Sequence, residues 1–281
     1  MMKVEVPKEY NYVEAFLTFK CNFNCDYCLN KQSGNLVERT ELPVDKLACG
    51  LNRLVLPEET PLTLGGGEPT LYPDFYELIR KLTLPVDILT NGTFNINEFV
   101  EKIKPEKIFK SKNPSYKSIR FSYHPKFMSQ DFLLEKAKTL QDRGFNVGIF
   151  SINHPDNLTS NMEIAEKARK EQIYFFIKDF LDGKNFGYYK YQDAVSKINK
   201  LPRSVSCRTK DLLISPDGFI YRCHRDLYRA ENPISDLLYP RLKIEYTFRQ
   251  CNNFGFCNPC DVKQKTNRFL QMGNCSVEIK K

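Results

Sequence analysis

Histidine is scarce in this 281-residue chain, with residues only at positions 124, 154 and 224. A cysteine cluster that needs a nearby histidine to complete a zinc site therefore has few to draw on. No window approaches the ~18 consecutive apolar residues of a membrane-crossing helix, which excludes that kind of span. The opening Met1-Met2-Lys3-Val4-Glu5-Val6-Pro7 has no long apolar stretch, so a secretory signal is not expected. There is no internal repeat and no low-complexity segment, which sets aside repeat arrays.

What is present is a globular composition, 41% apolar and 27% charged, long enough for one large α/β domain with a small addition. The formal charge of +8 comes from 42 basic and 34 acidic residues spread through the chain. Its densest basic patch, residues 102–117, reads as a solvated helix face and loop, so no nucleic-acid partner is expected. Ten cysteines without an export signal fit a reducing compartment, where clustered thiols bind metal more often than they form disulfides. A cytoplasmic location is the expectation.

The chain alternates strands and helices. Strands are expected from 15 to the first cysteine at 21, and at 61–64, 86–90, 118–123, 145–152 and 173–180. Helices are expected at 44–54, from Asp74 with Glu77 as a capping box, at 96–103, at 131–143 stopped by Gly144, and to residue 170 from a Ser160/Glu163 capping box. Six such units imply parallel strands, in an open sheet or a partial barrel, with the loops after the strands gathered at one face where such folds bind ligands. From about residue 182 the pattern changes, so a boundary is expected between 1–181 and 182–281. The second part carries a hairpin, 212–215 and 219–222, turned by Pro216-Asp217-Gly218.

The first strand ends at Cys21, Cys25 and Cys28, spaced C-x3-C-x2-C and interleaved with aromatic residues. Iron-sulfur clusters are normally held by four thiolates, so a loop of three implies a [4Fe-4S] cluster with one iron open to another ligand. Zinc is the alternative, and it leaves the Gly65-Gly66-Gly67-Glu68 run after the second strand unexplained. Cys49, within the first helix, reads as a packing thiol. His124 and His154 each precede a proline and read as ordinary loop residues. Lys178 and Asp179 end the last strand, where a polar residue faces substrate or is held in a salt bridge.

With Tyr27 before the last cysteine and Gly66-Gly67-Glu68 at the next strand end, the loop resembles that of the radical S-adenosylmethionine (radical SAM) superfamily. The resemblance covers residues 13 to 180 and implies a partial (β/α)6 TIM-like barrel. It implies that Cys21, Cys25 and Cys28 hold the cluster, with the methionine part of S-adenosylmethionine on the open iron. One electron then yields a 5'-deoxyadenosyl radical that takes a hydrogen atom from substrate. By the same resemblance Glu68 holds the methionine ammonium, the glycines allow close backbone approach to the ligand, and Thr90, Asn91 and Ser122 contact ribose or carboxylate.

The last third resembles the auxiliary-cluster domains of the same superfamily, SPASM and its shorter twitch form. Cys207 and Gly218-x4-Cys223 fit the opening signature, whereas Cys251-x5-Cys257-x2-Cys260 departs from the full SPASM pattern. One auxiliary [4Fe-4S] cluster on Cys207, Cys223, Cys257 and Cys260 is implied, with Cys251 as the substitute ligand and Cys275 spare. His224 is expected as a hydrogen-bond partner near it, and zinc is again the alternative.

The resemblance implies an oxidoreductase that uses an electron donor such as flavodoxin or ferredoxin and acts on a small molecule or a peptide. About 14 residues precede the first strand, against about 80 for a small leader-binding domain, which tilts the reading away from a peptide maturase with its own leader binder. An RNA-modifying radical enzyme and a non-enzymatic iron-sulfur or zinc protein are the alternatives.

Overall fold

The computed structural model describes residues 2–28, 30, 37–178, 204–252 and 277–280. A short strand β1 (Val4–Glu5) leads into β2 (Tyr12–Thr18), and α1 (Val44–Leu51) follows the cysteine loop. Then come β3 (Leu54–Val55), β4 (Leu62–Gly66), α2 (Phe75–Lys81), β5 (Val86–Thr90), α3 (Ile96–Lys102) and β6 (Ile119–Ser122). The series ends with α4 (Gln130–Asp142), β7 (Val147–Ile152), α5 (Leu158–Lys170) and β8 (Tyr174–Lys178). Strands β2, β4, β5, β6, β7 and β8 lie side by side in that order, all parallel.

This sheet is curled. In a flat sheet β2 and β6, three places apart, would be separated by about 14 Å. Yet Lys178 on β8, five places from β2, acts electrostatically on Glu14 of β2, and Tyr27, in the loop after β2, lies 2.9 Å from His124, in the loop after β6. Alternation along each strand fills the convex side with Val13, Ala15, Leu17, Leu62, Leu64, Val86, Ile88, Ile119, Phe121, Val147 and Ile149. The helices close over it with Leu47, Leu51, Leu78, Leu133 and Ile164.

The last third adds β9 (Val205–Thr209), β10 (Asp211–Ile214), β11 (Phe219–Tyr221), α6 (His224–Arg229), β12 (Ser235–Asp236), β13 (Arg249–Cys251) and β14 (Val277–Lys280). The expected hairpin is β10–β11, with Gly218 at φ +90° in its turn. It does not stand apart. β10 pairs in parallel with β2, Asp211 opposite Tyr12, so the hairpin extends the same sheet past its first strand. Arg39, whose guanidinium bonds Asp217, the Tyr221 hydroxyl and the Leu227 carbonyl, ties the segment before α1 to this extension. The expected boundary near residue 182 lies outside the described residues.

Several helix starts differ from the sequence reading. Asp74 occupies the N-cap position of α2 but its side chain makes no cap hydrogen bond. Ser160 and Glu163 lie inside α5, which begins at Leu158 after the turn Pro155–Asn157. Cys49 is exposed on α1 rather than packed, because Leu47, Ala48 and Leu51 take the inward positions. Residues 102–117 are largely spent within the protein: Lys102 pairs with Glu98, Lys112 with Glu58, and Lys107 bonds the Leu82 carbonyl.

Candidate functional site

The loop carrying the three cysteines begins where β2 and β4 run on together beyond their ladder. The Gly67 N–H donates to the Thr18 carbonyl and the Glu68 N–H to the Lys20 carbonyl, both at 2.8 Å. A Cβ on Gly66, at φ +133°, would stand 2.3 Å from the Thr18 oxygen, and one on Gly67 2.2 Å from the Lys20 oxygen. The glycines are thus required by the close approach of the chain's own backbone. Their close approach sets the course of the chain into Cys21.

Glu68 is fully buried, and both its oxygens accept hydrogen bonds from within the chain. Oε1 takes the Thr70 hydroxyl at 2.6 Å and the Thr90 hydroxyl at 2.7 Å, while Oε2 takes the Asn91 N–H at 2.7 Å. Burial pushes its carboxyl above the usual range, against the pull of the Asn91 amide and the two threonine hydroxyls. The group expected to hold an ammonium stands here as a brace between the loops after β4 and β5. Asn91 extends the brace to the cysteine loop, donating to Asn22 Oδ1 at 2.8 Å, while the Asn22 side-chain amide donates to Thr93 at 2.9 Å. Beneath them the Lys136 ammonium, from α4, donates to the carbonyls of Gly92 and Phe94. Of the residues singled out from sequence, Glu68, Thr90 and Asn91 therefore meet directly, and Ser122 lies half-buried at the end of β6.

Cys21 is exposed, Cys25 buried and Cys28 half-buried. His124 is no ordinary loop residue: its Nδ1 lies 3.4 Å from the Cys25 sulfur and 2.9 Å from the Tyr27 hydroxyl. Burial, then the nearby Lys178 charge, lowers its pKa to about 4, so the ring is neutral near pH 7. Burial, then Cys25, raises the Tyr27 phenol to about 12. Asp26 is drawn off the loop by Lys126 at 2.7 Å. Three thiols on one loop at the carboxyl ends of the strands fit a cluster that takes three cysteines and leaves a position open. Among the described residues no three Cys, His, Asp or Glu side chains already converge on one point.

In the last third Cys207 and Cys251 come from the paired strands β9 and β13 and hydrogen-bond to each other. That contact, followed by burial, raises the Cys207 thiol, and the Cys223 charge acts on it too. Cys251 thus touches Cys207 directly and Cys223 is near enough for its charge to act on Cys207, while Cys257, Cys260 and Cys275 lie outside the described residues. His224, expected beside these thiols, packs against aromatic rings. It is buried between Phe16 and Tyr228, with ring centroids 5.9 Å from each, and its charge acts on Glu14.

The concave side of the sheet was missed in the sequence reading. Tyr12 donates to Glu14 at 2.9 Å on β2, and Arg120 on β6 pairs with Asp87 on β5 at 2.9 Å, with Tyr116 bonded to the same carboxylate. Burial disfavours the Arg120 charge, but Asp87, then Tyr116, Tyr12 and Glu14, outweigh it and hold the guanidinium protonated. The signal was legible as charges at alternate positions of otherwise apolar strands.

The Radical SAM superfamily profile matches residues 16–111. The chain is 35% identical over 91 residues to the AdoMet-dependent heme synthase of Methanosarcina barkeri, covering 31% of this chain and 26% of that protein. It is 31% identical over 101 residues to the probable GTP 3',8-cyclase of Halobacterium salinarum, covering 34% and 28%. It thus spans about a quarter of the length of these relatives. Among solved structures it resembles anSMEcpe with bound AdoMet and Kp18Cys peptide, with TM-score 0.56 and 13% identity over 91% of this chain and 84% of that one. It also resembles Streptococcus suis SuiB bound to precursor peptide SuiA, with TM-score 0.51 and 14% identity over 84% and 64%. The curled, unclosed sheet is the partial barrel of those structures, and residues 16–111, which hold the cysteine loop and the braced Glu68 segment, match the radical SAM superfamily.

Proposed function

We propose that the chain is an oxidoreductase that cleaves S-adenosylmethionine reductively and takes a hydrogen atom from a small-molecule or peptide substrate in the barrel. The supporting observation is the interlock of the Cys21–Asn22, Glu68 and Asn91 loops at the carboxyl ends of the strands. Cys21, Cys25 and Cys28 would hold a [4Fe-4S] cluster, and Ser122, the Gly66-Gly67 backbone and the Thr90–Asn91 loop would border its S-adenosylmethionine. When bound, these groups would supply one-electron reductive cleavage of a sulfonium bond. The chain's part is to fix the loop, shield the mouth with Tyr27 and His124, and orient the substrate below them. Cys207, Cys223 and Cys251, joined by Cys257 or Cys260, would hold one auxiliary [4Fe-4S] cluster.

A reductant such as flavodoxin or ferredoxin would serve it in a reducing compartment, the cytoplasm. Among the described residues no helix is long and apolar enough to cross a membrane. Reconstituted without oxygen, the protein is expected to hold about eight irons and to release 5'-deoxyadenosine when reduced with S-adenosylmethionine. A fall to about four irons together with loss of 5'-deoxyadenosine release in Cys25→Ala, alongside retained folding, supports the assignment. An iron-loaded wild type that releases no 5'-deoxyadenosine with either dithionite or flavodoxin overturns it.

A further inference from the structure

The concave face carries four charged side chains, and three of them are already engaged. Arg120 and Asp87 neutralise each other at 2.9 Å. Glu14 accepts the Tyr12 hydroxyl at 2.9 Å, lies across Gly65 where a Cβ would collide with it, and is pushed toward its neutral form by burial. The fourth is Lys178, which ends β8. Its register partner is Ile152 on β7, and its backbone is pinned by the Asn153 N–H, which donates to the Lys178 carbonyl at 2.8 Å. Among the described residues its ammonium makes no hydrogen bond and no ion pair. Its surroundings are dry enough that burial lowers its pKa to about 8, with Arg120 adding to the fall and Glu14 opposing it.

Lys178 acts electrostatically on His124 above it and on Arg120 and Glu14 across the barrel, so it sits between the cysteine loop and the floor of the concave face. Next to it on the same face, Phe176 pairs with Phe150, ring centroids 6.1 Å apart, and Tyr174 stands 5.7 Å from Phe150. Phe176 and Lys178 are both half-buried, leaving surface on this wall for a ligand. A cation held in a largely apolar recess with no ion-pair partner among the described residues is completed by an anion, and a few placed polar groups on an apolar wall are how small-molecule sites fix orientation.

We propose that Lys178 is the substrate's anion-binding residue: its ammonium takes a carboxylate or phosphate group of a small molecule whose apolar part lies along Phe150 and Phe176. The inference rests on the radical-enzyme reading above and adds the chemical class of the substrate. It places the substrate's anionic group beneath the Tyr27–His124 pair.

The test uses the full chain with its clusters reconstituted and S-adenosylmethionine present, titrated calorimetrically with phenylacetate and with phenyl phosphate. Saturable binding of at least one is expected, and which one binds tells carboxylate from phosphate. Lys178→Met is expected to weaken it at least tenfold, and Lys178→Arg to restore it to within about threefold. As a measurement that does not depend on a variant folding, amine acetylation of wild-type Lys178, mapped by mass spectrometry, is expected to slow at least fivefold when the probe is bound. Binding of neither probe, equal binding by Lys178→Met, or unprotected Lys178 overturns the inference. If wild type also releases no 5'-deoxyadenosine in the absence of any probe, the radical-enzyme reading fails. If that release persists, the anion site alone fails.

Discussion

The two faces of one sheet follow opposite rules. The convex face is apolar along β2, β4, β5, β6 and β7 and is covered by helices. The concave face of the same strands carries Tyr12, Glu14, Asp87 and Arg120, nearly all out of contact with solvent. Burial stabilises through the first and costs free energy through the second, where each charge needs a partner. The contrast shows where the molecule spends stability on chemistry: a face built only for packing would have no reason to hold three charged side chains.

Substitutions can break or sharpen this contrast. Asp87→Leu leaves the buried Arg120 charge without its partner and is expected to cost about 3–5 kcal/mol, whereas Asp87→Leu with Arg120→Met costs far less. Urea unfolding of the single and double variants measures the difference, and equal losses would make the concave charges mere packing. On the convex face Leu64→Ala is expected to cost about 2–5 kcal/mol, with 5'-deoxyadenosine release per folded molecule unchanged. Lys136→Met, which strips two carbonyls of the Asn91 loop of their donor, is expected to cost about 1–3 kcal/mol and to raise the apparent Kd for S-adenosylmethionine.

The smallest effect is a pH signature. Lys178 has a folded pKa of about 8, below its value of ~10.4 in the unfolded chain. The unfolded state therefore binds the extra proton between those values, and stability rises with pH across that window. Thermal melts of wild type and Lys178→Met should show the wild type gaining on the variant from about pH 8 to 10.4. A constant gap would mean the ammonium is well solvated.

The strands were legible because the convex face imposes apolar residues at every second position, as in Val13, Ala15 and Leu17. The cysteine loop was legible because its spacing is local. What escaped depends on residues far apart in the chain. His124 reads as a loop residue until a tyrosine 97 positions earlier stacks on it, at a ring distance of 5.8 Å. Ser160 and Glu163 form a capping pair in sequence, yet the turn before Leu158 starts the helix earlier and leaves them mid-helix. Glu68 was found by its motif but its environment was not: Thr70, Thr90 and Asn91 satisfy it from two different loops.

The pairing of β10 with β2 has a consequence for how the chain is made. The strand that leads into the cysteine loop has β4 on one side and, on the other, a neighbour about 200 residues later in sequence. Until that neighbour is synthesised, β2 presents a row of unpaired amides and carbonyls, the kind of edge along which chains join one another. A chain cut after residue 203 is therefore expected to self-associate. During synthesis the molecule most needs protection while its last third is still emerging, before the hairpin seals the edge of the sheet.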